Sequence, residues 1–161
     1  MISIFRKYYL ILGIQIIPML TGFLTCLLPG LDEQDEALQK SIFEMLNDVN
    51  SIVGDKFYIS AIWFILLKNS KNRLACFKIL SKKFDPKIAK KKFENYNYEL
   101  SDEEKQNELL MKVIKDIKKT NGDPMRFFPN SWTIVNALCN CLEDEVNIKK
   151  SCLDFIIKNI K

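Results

Sequence analysis

Lys56-Phe57-Tyr58-Ile59-Ser60-Ala61-Ile62-Trp63-Phe64-Ile65-Leu66-Leu67 decides how this chain folds. Past Lys56 only Ser60 interrupts the apolar run, and the polar and apolar residues do not alternate as a half-buried strand requires. A helix over these residues has no polar stripe to turn toward water, so it must lie inside, between other helices. The reading therefore predicts an inner helix with Trp63, Phe64 and Leu67 buried between neighbours.

Working outward, the sequence before this run is amphipathic. Leu38, Ile42, Met45, Leu46, Val49 and Val53 recur at steps of three and four, the stripe of a helix with one buried face. Gly54 follows, where a helix end calls for a residue with positive φ. On the other side Asn69–Asn72 reads as a short polar turn, and Leu74, Phe77 and Leu80 begin a return helix. The run is thus the centre of a set of helical hairpins.

The same unit recurs along the chain. Leu31-Asp32-Glu33 precedes Lys40-Ser41-Ile42-Phe43-Glu44-Met45-Leu46, and Leu142-Glu143-Asp144-Glu145 precedes Lys150-Ser151-Cys152-Leu153-Asp154-Phe155-Ile156. Leu74-Ala75-Cys76-Phe77-Lys78-Ile79-Leu80 has the same shape. Hairpins with polar turns and similar second helices hide their apolar faces against one another, which points to an all-α fold, an α-solenoid of antiparallel hairpins of the HEAT or armadillo kind. Residues 1–161 read as one such segment, long enough to bury about two-thirds of the surface its unfolded chain exposes.

Between the hairpins the pattern changes. Lys82, Lys83, Lys87, Lys90, Lys91 and Lys92 stand close together and are followed by Tyr- and Asn-rich sequence, so about 82–100 reads as a solvated excursion. Ser101-Asp102-Glu103-Glu104 is a capping box that opens a helix carrying Leu110, Val113, Ile114 and Ile117 on one face. Asn121-Gly122-Asp123-Pro124 reads as a turn. Ser131–Leu142 and Val146–Ile160 then form the last hairpin.

The N-terminus admits two readings. From Tyr8 to Leu31 no residue is charged, and 24 such residues could cross a bilayer, which takes about 20. Arg6 and Lys7 before the run, with Asp32, Glu33, Asp35 and Glu36 after it, would then leave the N-terminus in the cytosol. The other reading is two short buried helices, broken near Gly13–Pro18 and stopped at Pro29-Gly30. A signal peptide fits less well, because no small-x-small cleavage site follows the run.

Composition removes several chemistries. The chain has no histidine, which excludes Ser-His-Asp and Cys-His nucleophile pairs and imidazole metal sites. Of its 24 basic residues all but Arg6, Arg73 and Arg126 are Lys, so bidentate recognition of phosphates or bases has few candidates, and nucleic-acid binding is not expected. The five cysteines (Cys26, Cys76, Cys139, Cys141, Cys152) leave one unpaired in any full disulfide scheme. Cys139 and Cys141 at i, i+2 on a helix diverge too widely to share a tetrahedral ion. Reduced, mostly buried thiols and no cofactor are the expectation.

The segment from Phe5 to Phe84 resembles the N-terminal region of the Dopey family of membrane-traffic proteins. The likeness runs through Arg6-Lys7-Tyr8-Tyr9-Leu10, Leu27-Leu28-Pro29-Gly30-Leu31-Asp32-Glu33, Val53-Gly54, Phe57-Tyr58-Ile59-Ser60-Ala61-Ile62-Trp63 and Asn72-Arg73-Leu74. Val135-Asn136-Ala137-Leu138, Leu142-Glu143-Asp144-Glu145 and the Lys150–Ile157 helix resemble the family's next helix pair. Ala75 stands where the family often has Pro, and the Lys-rich excursion has no counterpart. Members are far longer, so the chain is expected to be a fragment or a divergent short relative, and the bare end at Ile160-Lys161 favours a fragment.

The resemblance implies a cytosolic α-solenoid held peripherally on Golgi and endosome membranes, without enzymatic activity. It implies protein partners: a large Arf-exchange-factor-like scaffold, a phospholipid flippase and kinesin. It also implies that Tyr8–Leu28 packs as helices. The function expected is a non-enzymatic scaffold in Golgi–endosome protein transport. The alternative is a small protein anchored by one N-terminal transmembrane helix, with a helical cytosolic domain. Lys82, Lys83, Lys87, Lys90, Lys91 and Lys92 are the candidate contact with anionic lipid or a partner, since each Lys near anionic headgroups contributes about 1 kcal/mol. The acidic turns at Asp32–Glu36 and Glu143–Asp144 are further candidate contacts.

Overall fold

A computed structural model describes residues 2–87, 93, 96–119 and 128–160, with side chains from Lys7 onward. Among them the structure is all-helical and contains no strand. Helix α1 spans Ile2–Leu12 and leads through a 3₁₀ segment, Gly13–Met19, into α2, Leu20–Leu27. A second 3₁₀ turn, Leu28–Leu31, precedes α3, Glu36–Val53. Then come α4, Asp55–Lys68, and α5, Arg73–Lys83, followed by α6, Asp102–Gln106, and α7, Glu108–Lys119. The last hairpin is α8, Ser131–Leu142, with α9, Val146–Asn159.

The inner helix is where its composition puts it. Helix α4 packs against α2, α3, α5 and α8. Trp63 is 0% exposed, whereas Phe64 and Leu67, expected to be buried with it, are half-buried at the edge of the same core. The stripe of α3 (Ile42, Met45, Leu46, Val49, Val53) is buried as its spacing requires. Gly54 joins α3 to α4 alone, with φ +84° and ψ 150°, a backbone region that L side chains rarely enter. A one-residue connection of this kind fixes the angle between the two helices.

The apolar N-terminal run is broken as the packed reading anticipated. Pro18 lies in the 3₁₀ segment, so its missing N–H falls between α1 and α2 and not inside an α-helix. Pro29 lies in the first positions of the turn after α2, and Asp35 caps α3 by accepting from the amides of Ala37 and Leu38 at 2.9 and 3.1 Å. By length and composition alone Lys7–Leu31 could cross a membrane, and 28% of its most apolar 18-residue stretch is buried. Tyr9, Ile16, Ile17, Leu20 and Leu24 face the core, while Tyr8, Leu10, Ile11 and Met19 face outward.

Polar side chains tie the hairpin turns together along one edge. Arg73, at the start of α5, donates to the carbonyl of Leu66 in the last turn of α4 at 3.1 Å and to that of Asn140 in the last turn of α8 at 3.4 Å. It also pairs with Asp144 in the turn beyond α8. A guanidinium satisfies the free carbonyls of helix C-termini and complements their negative dipole ends. Lys78 of α5 reaches the earlier turn, donating to the Leu31 carbonyl at 2.6 Å and pairing with Asp32 at 2.8 Å. Asn72 donates to the Thr25 carbonyl at 3.2 Å. Helices α2, α4 and α8 thus end on one edge, and α5 packs against α9 behind them.

The stretch read as a solvated excursion is only partly so. Phe84 is buried, and Phe93, Tyr96, Tyr98 and Leu100 pack against the core. Phe93 sits 5.8 Å from Trp63 and 5.4 Å from Phe155, and Phe84 lies 5.3 Å from both Phe93 and Tyr96, mostly edge to face. Such pairs contribute about 0.5–1.5 kcal/mol each beyond their buried area. The lysines around these rings masked them in the sequence, and the run lacks a period that would reveal a buried face.

The capping box is present: the Ser101 amide donates to Glu104 at 2.6 Å and the Glu104 amide to the Ser101 hydroxyl at 3.2 Å. It opens only one turn and a half, because Asn107 takes an extended conformation (φ −73°, ψ 102°) and its side chain accepts from the Leu110 amide at 3.0 Å, starting α7. Leu110, Val113, Ile114 and Ile117 are buried as expected, with α7 lying against the Gly13–Met19 segment. The turn expected at Asn121–Pro124 lies outside the described residues.

Candidate functional site

Among the described residues, the lysines singled out in the sequence differ in their surroundings. Lys82 is exposed, its ammonium 4.8 Å from the centre of the Phe43 ring. Lys83 is paired with Asp55. Lys87 is exposed, and its amide donates to Asp85 at 2.9 Å. Lys90, Lys91 and Lys92 lie outside the described residues. The acidic turns do structural work: Asp32 pairs with Lys78, Asp35 caps α3 and Asp144 pairs with Arg73.

Lys82 and Lys83 instead border a cleft of about 510 Å³ between α3, the start of α4, the end of α5 and the segment at Tyr96–Asn97. Its apolar wall includes Phe43, Leu46, Ile79 and Phe84. Its charged residues are Asp55, Lys56, Lys82 and Lys83. Helix α4 places Asp55 and Lys56 there because Gly54 turns the chain so sharply. The Asn50 side chain, one turn from the end of α3, donates to Asp55 at 2.8 Å, while its Oδ1 is buried without a partner. The Tyr96 hydroxyl in the same wall is also buried and unpartnered. Each such atom costs folding about 1–3 kcal/mol.

Charge within the cleft is closely matched. Lys56 spans to the strap that covers α4, pairing with Glu104 at 2.5 Å and donating to the Glu99 carbonyl at 2.6 Å. Burial opposes ionisation of Glu104, but hydrogen bonds from Lys56 and from Ser101 hold its carboxyl below the usual range. Burial raises Tyr96 above the ordinary phenol range, and the Asp55 carboxylate pushes it further the same way, so the hydroxyl stays protonated and able to donate. Burial does the same to Tyr58, in the cleft wall, with Cys76 adding to it.

A second groove of about 430 Å³ runs between Phe93, residues 96–99 and α8, lined by Ile134 and Leu138 and sharing Tyr96 with the first. Sequence reading missed Phe43, Asn50 and Tyr96. Phe43 and Asn50 lie seven residues apart on one face of α3, a helical spacing the sequence offered, but nothing in the sequence joins that face to Tyr96.

Among the described residues no three Cys, Asp or Glu side chains come together to hold a metal. Burial raises the Cys76 thiol beyond the ordinary range, and raises Cys141 to about 12 and Cys152 to about 11. What the molecule offers is surface: a mixed cleft, a groove, and an edge of clamped turns.

No solved structure matches the chain. A family model does, described as Dopey, N-terminal, and it matches residues 1–161, from the first helix through the last hairpin. That family is a non-catalytic one with a role in membrane trafficking. The chain belongs to the Dopey N-terminal family.

Proposed function

We propose that the chain is a helical-repeat segment of a non-enzymatic scaffold that works at Golgi and endosome membranes in protein transport. The observation that carries this reading is the family match over residues 1–161. It is supported by the way α2, α4 and α8 end on one edge with their turns clamped by Arg73, Lys78 and Asn72, as stacked hairpins of an α-solenoid would. On this reading the partners are those of the family: an Arf-exchange-factor-like scaffold, a phospholipid flippase and kinesin. Attachment to membranes is peripheral, through such partners or through Lys82, Lys83, Lys87 and the lysines at 90–92.

The test is fractionation of cells expressing the chain, followed by alkaline carbonate extraction of the Golgi and endosome membranes. Co-fractionation with those membranes and release by carbonate are the expected outcome. A second reading is favoured by one observation: an 18-residue stretch within Lys7–Leu31 has mean hydropathy 2.0 and is only 28% buried, so the segment could anchor a small membrane protein. Retention in the carbonate pellet would select that reading and overturn the peripheral one.

A further inference from the structure

The cleft bordered by Lys82 has the makings of a recognition site, and the chemistry of its walls narrows the occupant. Three ammonium groups line it, but Lys83 already faces Asp55 and Lys56 already faces Glu104. Lys82 makes no ion pair among the described residues, its ammonium resting over the Phe43 ring. Among the described residues Lys82 is thus the cleft's spare cation, and a single ammonium suits a single carboxylate.

Beside that cation the wall is apolar, with Phe43, Leu46 and Ile79 able to cover an aliphatic or aromatic side chain. Two polar atoms remain unmatched. The Asn50 side-chain oxygen lacks a donor, and the protonated Tyr96 hydroxyl lacks an acceptor. A peptide backbone carries both, an N–H and a C=O, at neighbouring positions. The cleft thus has a match for each part of a short segment in which an acidic residue adjoins an apolar one.

We infer that this cleft binds an acidic, partly apolar peptide segment of a partner protein, with Lys82 taking its carboxylate. The inference deepens the scaffold reading and rests on it for its setting. Its test uses the purified 161-residue chain, so failure here leaves the fractionation result standing.

The probe is the blocked hexapeptide Glu-Glu-Phe-Glu-Glu-Leu, titrated to millimolar concentration while amide NMR signals are followed. The same peptide with glutamine for glutamate, inorganic phosphate, and vesicles of phosphatidylcholine with phosphatidylserine are titrated in parallel. The acidic peptide is expected to shift the side-chain amide of Asn50 and the backbone amides of Phe43 and Lys82 saturably, and the glutamine peptide far less. Lys82→Glu should weaken binding about tenfold, the size of one lost charged hydrogen bond, and Lys149→Glu on exposed α9 should not. Tyr96→Phe should weaken binding while leaving the melting temperature equal or higher, because it removes an unpartnered hydroxyl. That opposition of signs separates a binding role from a structural one. The inference is overturned by the absence of saturable shifts, by equal binding in the Lys82→Glu chain, or by phosphate or vesicles moving these signals where the peptide does not.

Discussion

The indole N–H of Trp63 donates to the hydroxyl of Tyr98 across 2.7 Å, joining residues 35 apart in sequence. Trp63 lies wholly inside the molecule, where an unsatisfied N–H would be costly, and no backbone of the surrounding helices supplies its acceptor. The strap after α5 does. This bond also lowers the Tyr98 phenol somewhat against the rise that burial imposes. A tryptophan at the centre of the hairpins is therefore completed by a segment that belongs to none of them.

Two variants separate the packing of Trp63 from its hydrogen bond. Trp63→Ala should destabilise the chain by about 3–5 kcal/mol, and Tyr98→Phe, which only orphans the indole, by about 1–3 kcal/mol. Chemical denaturation followed by far-ultraviolet circular dichroism measures both. A Trp63→Ala chain that unfolds at the parent's midpoint would show that α4 is not an inner helix.

Acid should loosen the edge of clamped turns. The Glu145 amide and the Arg73 guanidinium hold the Asp144 carboxyl below the usual range. A group with a lowered folded pKa contributes stability that is complete above its unfolded value, about 3.9, and is lost as pH falls through the folded value. The parent should therefore exceed Asp144→Asn in stability by a constant margin from pH 7 to about 5. That margin should shrink below pH 4, as melting curves at each pH will record.

Glycine substitutions have opposite signs at two positions. At Gly54 a methyl group meets nothing within 4 Å, but the backbone stands at φ +84°, so Gly54→Ala should cost about 1–3 kcal/mol through strain alone. Gly22 sits exposed in α2 with ordinary helical geometry and open space, so Gly22→Ala should gain up to about 1 kcal/mol. Paired thermal melts read the difference directly, and a neutral Gly54→Ala would contradict the one-residue connection between α3 and α4.

Thiol titration should divide the cysteines. All five are free; Cys26 and Cys139 are exposed, and Cys76, Cys141 and Cys152 are buried with raised thiol pKa values. An aromatic disulfide reagent at pH 8 should modify two thiols rapidly and the remaining three only as urea unfolds the chain. Rapid reaction of all but one would mean that the α8–α9 hairpin, which holds Cys141 and Cys152, opens readily.

Much of the fold is legible because its signals are local. The α3 stripe, the face of α7 from Leu110 to Ile117, and the Ser101–Glu104 capping box each rest on spacings of three or four residues, and each is in place. Asn107 was not legible as a helix break. Asparagine is nearly neutral in a helix by propensity, and only its bond to the Leu110 amide reveals a cap. Phe93, Tyr96 and Tyr98 were misplaced in water because their partners, Trp63 and Phe155, are remote in sequence. The cleft is harder still: Phe43 and Asn50 share a face of α3, but Lys82 and Tyr96 come from elsewhere in the chain, and no spacing within one element joins them to that face.

The position of α4 also sets a timetable for making this protein. Its sides are closed by α2 and α3, which precede it, but also by α5 and α8, which are synthesised later. A ribosome adds about 5–20 residues each second, so several seconds pass between the emergence of Lys68 and that of Ser131. During that interval the newborn chain carries a helix with no hydrophilic side and one wall missing. Chaperone capture of translation intermediates should therefore peak while residues between α5 and α8 are being made, and end once the last hairpin leaves the exit tunnel.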